Sequence, residues 1–404
     1  MPELKEVVLV DYLRSPISRS RPNQPERDVF HNIPADMLLS LVIKEIISRA
    51  KFDSSDIDEI ITGCANQVKE NFLYGGRHPV FLGELPITVA AMGIDRQCGS
   101  SMSSVHIGAM EIMTGNSEIV LACGMEHMTR IPRGTDLTMR HTELGDNQKF
   151  PNHAKYDLTT GFSMLQTAQQ LWEQNPDITR EKMDQWSLRS HDRAIQARDE
   201  GFFDTEILPV EGTVPDGSKK IIKYDQSMRG GSNLEVMGKL RVVSTGINKE
   251  PQITAGNSSP LNAGAGCAVL MSKKRAEELG IKPMVKIRSM GWAGVSPGVM
   301  GQGPVPASKK ALNQAGLSVE DIDFWEINEA FAIVPLYAIK ILKIPDEIVN
   351  VKGGAIALGH PLGMTGVRLV GTLARILQIE GGKIGLATAC VGGGQGVATI
   401  IEKI

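Results

Sequence analysis

Two cysteines and a histidine stand in this chain where chemistry could be done. Cys98 lies in Asp95-Arg96-Gln97-Cys98-Gly99-Ser100-Ser101-Met102. His360 lies in Gly353-Gly354-Ala355-Ile356-Ala357-Leu358-Gly359-His360-Pro361-Leu362-Gly363, and Cys390 opens Cys390-Val391-Gly392-Gly393-Gly394-Gln395-Gly396. A short strand expected over 92–96 and a helix expected over 103–114 put Cys98 at a helix N-terminus. Backbone N–H groups and the helix dipole stabilise a thiolate there, which makes it a nucleophile. The segment by itself reads equally well as a buried cysteine at a tight turn. A histidine and a second cysteine in glycine-lined loops favour catalysis.

The glycines are unevenly placed. Of 42 in the chain, 13 lie between Gly353 and Gly396, and another five between Gly291 and Gly303. Glycine allows backbone to approach a ligand closely, so the surplus is expected to line a site and supply N–H donors to it. The usual phosphate motifs are missing. There is no Gly-x-x-x-x-Gly-Lys-Ser/Thr, and no Gly-x-Gly-x-x-Gly after a strand. His-Glu-x-x-His, paired metal-ligand spacings and the Gly-x-Ser-x-Gly elbow are also absent, so no metal is expected. The five cysteines show no Cys-x-x-Cys, and Cys64, Cys123 and Cys267 are read as packing residues.

The elements that must position these residues alternate between strand and helix. Val7–Val10, Ile57–Thr62 and Ile119–Cys123 read as strands, and Pro34–Ala50 as a helix with Leu38, Leu39, Val42, Ile43 and Ile46 on one face. This order implies an α/β fold with a buried sheet. The pattern then repeats. Asp56-Ile57-Asp58 returns as Asp321-Ile322-Asp323, and Glu118-Ile119-Val120-Leu121-Ala122 as Lys383-Ile384-Gly385-Leu386-Ala387, both 265 residues on. Two similarly folded halves are expected, with a polar insertion in the first. The bounds read as 1–127 with 258–282 for the first half, 128–257 for the insertion and 283–404 for the second half.

Length and composition are ordinary for a soluble globular protein. The 404 residues carry a net charge of -3, with 42% hydrophobic and 22% charged residues. A basic surplus for nucleic acid is missing. No apolar run is long enough for a membrane span. The N-terminus resembles neither a secretory signal nor a transit peptide, so a cytoplasmic location is expected.

Taken together, the Cys98 loop, Asn328-Glu329-Ala330-Phe331, the His360 loop and the Cys390 loop resemble the thiolase family over nearly the whole chain. Gly256-Asn257-Ser258-Ser259 and Val299-Met300-Gly301-Gln302-Gly303-Pro304 add to the likeness. The resemblance implies a five-layer αβαβα fold of two βαβαβαββ halves with an inserted loop domain. It implies the reaction acyl-CoA + acetyl-CoA ⇌ 3-oxoacyl-CoA + CoA through an acyl-cysteine. Cys98 is then the nucleophile, His360 accepts its proton, and Cys390 exchanges a proton with Cα of acetyl-CoA. One oxyanion hole would use His360 and a water held by Asn328, the other the backbone N–H groups of Cys98 and Gly392. Coenzyme A would lie against the insertion, with Arg229 at its nucleotide end and Ser259 near the pantetheine. Met164, Met300 and Phe331 would line the acyl pocket, and Arg96 would be an electrostatic helper or an ion-pair partner. No cofactor is expected to stay bound; coenzyme A is substrate and product, and a homodimer or homotetramer is implied.

Two positions depart from the pattern. Ser100-Ser101 replaces a common Ser-Gly, and Ser163-Met164 replaces the His-Met of short-chain biosynthetic members. Acyl chain length is left open. Two other readings compete: a decarboxylating condensing enzyme of the same fold, which usually has a second histidine in place of Cys390, and a non-catalytic CoA- or lipid-binding protein.

Overall fold

The computed structural model describes residues 4–132 and 143–404. Its strands are β1 (Val7–Arg14), β2 (Ser18–Arg19), β3 (Glu59–Gly63), β4 (Ala90–Ile94), β5 (Ile119–His127), β6 (Val210–Thr213), β7 (Lys219–Ile222), β8 (Asn262–Ser272), β9 (Val285–Gly294), β10 (Phe324–Ile327), β11 (Ile384–Val391) and β12 (Gln395–Lys403). One half-sheet runs β4-β3-β5-β8-β1, the other β10-β11-β12-β9. They meet through two residue pairs, Val8 with Lys286 and Leu9 with Val285.

The two half-sheets have the same plan. β3 lies parallel to β5, which lies antiparallel to β8. Likewise β10 lies parallel to β11, which lies antiparallel to β12. The likeness extends to single hydrogen bonds. The Asp58 carboxylate accepts from Glu118 N and Ile119 N at 2.7 and 3.0 Å. The Asp323 carboxylate accepts from Lys383 N and Ile384 N at 2.7 and 2.8 Å. Each aspartate satisfies the first two N–H groups around the start of the next strand, groups that would otherwise lack partners. The helices Ser100–Thr114 and Thr365–Ile379 obey the same offset.

Alternation along the strands creates three apolar layers. Val120 and Ala122 of β5 and Ala387, Ala389 and Val391 of β11 face one shared core. Met102, Val105, Val367, Val370 and Leu373 of the two central helices fill it. On β5, Ile119, Leu121, Cys123 and Met125 point the other way, onto the Ala35–Arg49 helix. On β11, Leu386 and Cys390 point outward toward the helices Pro304–Ala315 and Ile333–Leu342. Helix, sheet, helix pair, sheet and helix therefore stack as five layers. A sheet covered on both faces explains the near-continuous apolar runs of β5 and β8.

Residues between β5 and β8 include the helices Met164–Gln174 and Arg180–Asp199 and the β6–β7 hairpin. Thr179 caps the longer helix by accepting from Lys182 N at 3.2 Å. Its buried face meets the second half. A side chain at Gly353 would come within 2.6 Å of Ala194 Cβ and Ser190 O. The tie to the first half is ionic. Buried Arg14 donates to Glu206 at 2.8 Å and to Asp225 at 2.7 and 2.9 Å. No described helix is long and apolar enough to cross a membrane.

Arg14 neutralises two carboxylates that have no exposure of their own. Replacing it with leucine strands both charges in the interior, a loss of roughly 3–5 kcal/mol. Arg14→Leu is expected to lower the urea midpoint accordingly. An unchanged midpoint would mean that this triad does not hold the insertion to the first half.

Candidate active site

The Cys98 turn is held from both sides. β4 ends at Ile94, residues Gln97–Gly99 form a single tight turn, and the helix begins at Ser100. Gln97 sits at φ 44, in the left-handed region. Asp95 Oδ1 accepts from Gln97 N at 2.7 Å, and Gln97 Nε2 donates to Ala65 O at 3.1 Å. Ser100 Oγ donates to Gln97 O at 2.6 Å and accepts from Arg96 N at 2.9 Å. Cys98 is 5% exposed. Its neighbour must be small, because a Cβ on Gly99 would approach Val391 Cγ2 to 2.9 Å.

The His360 loop is fixed by three other segments. Asn262 Oδ1 accepts from His360 N at 2.8 Å. His360 Nδ1 lies 2.7 Å from Thr365 Oγ1, and that hydroxyl donates to Pro361 O at 2.8 Å. A hydroxyl has one proton. Placing that proton on Pro361 O and a hydrogen on Nδ1 satisfies both contacts and makes Nε2 the basic nitrogen. Asn328 Nδ2 lies 3.4 Å from Nε2.

Glu329, in the same loop as Asn328, was not singled out by its sequence context, yet it organises this region. Its carboxylate accepts from Trp186 Nε1 at 2.9 Å, Ser190 Oγ at 2.7 Å, Asn350 Nδ2 at 2.8 Å and Ile356 N at 3.1 Å. A side chain at Gly354 would collide with it. One carboxylate thus joins the insertion, the Asn328 loop and the segment leading to His360. The only sequence signal was its place directly after Asn328.

Cys98, His360, Gly392, Ser259, Met164, Met300 and Phe331 line one cavity of about 240 Å³. A wider space of about 1100 Å³ adjoins it and shares Gln97, Met128, Met164, Leu165, Leu362 and Gly392. Asn328 reaches the cavity through His360. Cys390 is fully buried at the end of β11, beside Gly392. Burial, and then the nearby Cys98, push the Cys390 thiol well above its ordinary range. It therefore rests as a protonated thiol and is not poised near neutrality. Arg229 is not among the cavity's lining residues. Arg96 has no ion-pair partner among the described residues; its guanidinium lies 5.9 Å over the Trp292 ring.

The glycines serve a different purpose from the one their clustering suggested. A Cβ at Gly392 would meet only Gln97, at 3.6 Å or more, so packing leaves that position open toward the cavity. Gly354, Gly363, Gly366 and Gly396 are instead places where another part of the fold presses on the backbone. Most of the surplus allows close packing around the site.

Glu126 is a second unanticipated carboxylate. It lies on β5, lines the wider space, and accepts from Ala65 N at 2.9 Å and Gly363 N at 3.0 Å. Burial outweighs those bonds and raises its pKa from 4.5 to about 7. In the unfolded chain this carboxyl ionises near its ordinary value, whereas the folded chain keeps the proton to near neutrality. Between those limits the native state binds more protons, so stability falls as pH rises, by about 3 kcal/mol for this group. Glu126→Gln is expected to lose less stability between pH 5 and pH 7.5 than the parent, measured by urea unfolding. Equal losses would show that Glu126 does not govern that window.

Comparison with known proteins agrees with this geometry. The family model described as Thiolase, N-terminal domain matches residues 7–274, and Thiolase, C-terminal domain matches residues 281–403. The chain is 43% identical to a 3-ketoacyl-CoA thiolase of Marinobacter nauticus, covering 99% of each chain. It is 41% identical to one of Alcanivorax borkumensis over the same share. Among solved structures, it resembles the acetyl-CoA acetyltransferase of Bacillus anthracis with TM-score 0.85 at 32% identity, covering 100% of both chains. Human mitochondrial 3-ketoacyl-CoA thiolase gives 0.84 at 31%, with the same coverage. The match runs through both halves and through the loops that carry Cys98, His360 and Cys390: the chain belongs to the thiolase family.

Proposed function

We propose that this chain is a CoA-dependent acyltransferase that interconverts 3-oxoacyl-CoA plus CoA with acyl-CoA plus acetyl-CoA. The observation that carries the mechanism is one cavity lined by both Cys98 and His360, with Cys390 buried behind it close enough to Cys98 to feel its charge. In cleavage, the Cys98 sulfur attacks the 3-oxo carbonyl and its proton passes to His360 Nε2. The Cα–Cβ bond breaks, leaving the acyl group on Cys98. The departing acetyl-CoA carbanion takes a proton from Cys390. Free CoA gives its thiol proton to the Cys390 thiolate and attacks the acyl-cysteine; acyl-CoA leaves, and Cys98 takes its proton back from His360. Condensation is the reverse, with the Cys390 thiolate removing a proton from Cα of acetyl-CoA.

Each tetrahedral oxyanion needs fixed donors. In this reading one set is His360 Nε2–H, once protonated, with a water on Asn328. Asn328 Oδ1 is buried with no protein donor among the described residues, which leaves it free to hold that water. The other set is the N–H groups of Cys98 and Gly392. The apolar cavity, with Met164, Met300 and Phe331, would take the acyl chain, and the adjoining space leaves room beyond an acetyl group. Ser259 would touch pantetheine and Arg229 the nucleotide. Coenzyme A enters as substrate and product, with no resident cofactor. Cys390 in place of a second histidine disfavours a decarboxylating enzyme, and the complete Cys–His–Cys set disfavours a passive CoA binder. The five cysteines are buried and not joined in disulfides, which suits the reducing cytoplasm.

Incubation of the parent with acetyl-CoA is expected to leave an acetyl group on Cys98, seen by mass spectrometry. Cys98→Ala should take up none. Cys390→Ala should still be acetylated but lose carbon–carbon chemistry by several orders of magnitude. A Cys390 variant that loses both half-reactions equally would contradict its role as the Cα acid and base.

A homodimer is part of this reading. β4 is a free sheet edge among the described residues, and an unpaired edge is a template for another chain. The segment around it exposes Phe72, Tyr74, Phe81, Ile87 and Met92. Light scattering is expected to give at least twice the 43.8 kDa chain mass. A monomer at micromolar concentration would exclude pairing through this edge.

A further inference from the structure

A carboxylic acid inside a central strand breaks the pattern of its own sequence. β5 reads Ile119-Val120-Leu121-Ala122-Cys123-Gly124-Met125-Glu126-His127, and every residue of it is buried. Alternation puts Glu126 on the face that Val120 and Ala122 share, the face covered by the two central helices. Those helices begin at Ser100 and Thr365, just after the Cys98 turn and the His360 loop. Glu126 is therefore delivered to the place where the two halves of the site meet. Burial holds its carboxyl protonated up to about 7, against the pull of its backbone donors. A chain departs from apolar packing mainly where function requires it.

The hydrogen bonds of Glu126 close a ring. Oε2 accepts from Ala65 N at 2.9 Å and from Gly363 N at 3.0 Å. Ala65 O accepts from Gln97 Nε2 at 3.1 Å, and Gln97 is the residue before Cys98. On the other side of Cys98, Ser101 N donates to Gly363 O at 3.2 Å. The path Glu126–Ala65–Gln97–Cys98–Ser101–Gly363 thus returns to the same carboxyl oxygen, with the nucleophile on its rim. Gly363 also ends the His360 loop, and Leu362 beside it lines the reaction cavity. A side chain at Gly363 would come within 2.7 Å of Cys64 Cα, so this loop is pressed onto the segment that carries Ala65. The remaining oxygen, Oε1, meets Asn71 Nδ2 at 3.4 Å and the Cys64 thiol at 3.7 Å. Gln97 sits at φ 44, a backbone setting that persists only with outside support.

We propose that Glu126 is a positioning residue for the acyl-transfer step: by holding Ala65 and Gly363 on one oxygen, it fixes the Cys98 turn against the His360 loop. It acts through Gln97 on one side and through Gly363 on the other. A nucleophile and base displaced by about 1 Å lose roughly a hundredfold in rate. The ring requires an oxygen that accepts two N–H bonds, which the neutral acid supplies. A neutral isostere with the same oxygen can therefore take its place. This inference rests on the acyltransferase reading above.

The test is single-turnover acetylation of Cys98 by acetyl-CoA, at pH 7, in the full chain. Glu126→Ala is expected to slow it roughly a hundredfold, with the half-saturating acetyl-CoA concentration unchanged. Glu126→Gln, which keeps an acceptor oxygen, is expected to recover most of that loss. Leu38→Ala, in the outer helix away from both loops, should lower the urea midpoint and leave the rate unchanged. If Glu126→Ala does not fold, Gln97→Ala cuts the ring at its more accessible end and should slow acetylation about tenfold, the loss of one hydrogen bond. Acetylation at the parent's rate in Glu126→Ala, or in Gln97→Ala where the first does not fold, would overturn the proposal. So would a Glu126→Gln variant as slow as Glu126→Ala, or equal slowing by Leu38→Ala. Alkylation of Cys98 by iodoacetamide repeats the comparison without a thioester, because thiolate formation still needs His360. A parent that alkylates but forms no acetyl-enzyme would sink the acyltransferase reading, and the alkylation rates would still decide the role of Glu126.

Discussion

The backbones of Ser100–Met102 and Gly363–Val367 are in direct contact. Ser101 N donates to Gly363 O at 3.2 Å, and Ser101 Oγ accepts from Val367 N at 2.9 Å. The serine of one half thereby caps the central helix of the other. The approach demands glycine on both sides. A side chain at Gly124 would strike Gly363 O, and one at Gly366 would strike Met102 N. The Cys98 turn immediately precedes one member of this contact, and His360 precedes the other. A bulkier backbone there would separate nucleophile from base while leaving each half with its own core. This also accounts for Ser101 where the family often has glycine: the hydroxyl takes up a helix N–H that glycine could not.

Charge is managed differently in the interior and at the rim. Inside, carboxylates act as brackets. Glu329 gathers three segments around Asn328 and His360, and Glu126 joins the loop after β3 to Gly363. Arg14 and Arg368 are each matched by acids, and the groups are brought together from distant parts of the chain. At the β2 rim, arginines lie within electrostatic range of one another, with Asp28 facing Arg21. An enzyme whose substrate carries an apolar tail, a reactive thioester and a highly charged nucleotide needs such a division. The thioester site must be dry to strengthen its hydrogen bonds, whereas the nucleotide end can stay wet.

Much of this was legible in order along the chain. The strand–helix alternation, the 265-residue repeat and the loops carrying Cys98, Asn328, His360 and Cys390 are all local patterns, and local patterns survive in one dimension. The repeat was visible because Asp58 and Asp323 do the same work, satisfying strand N–H groups, and short motifs with fixed work keep fixed spacing. Glu126 and Glu329 were not legible as organisers. Their partners lie far off in sequence, and nothing in an isolated glutamate reports whether it will be surrounded by donors. The glycine surplus was seen but given the wrong main use, because the sequence does not show which neighbour presses on each backbone.

The sequence by itself determined the chemistry available: a thiol at a helix start, a histidine and a second thiol in turns tight enough to need glycine, and two halves of one plan. Only the tertiary structure decided their states. Thr365 Oγ1 faces His360 Nδ1, burial beside Cys98 keeps Cys390 protonated, and β2 brings Arg19 within electrostatic range of Arg229. Proton placement and charge clustering depend on distances between residues remote in the chain. Desolvation depends on everything packed around a group. Neither quantity exists until the chain has folded.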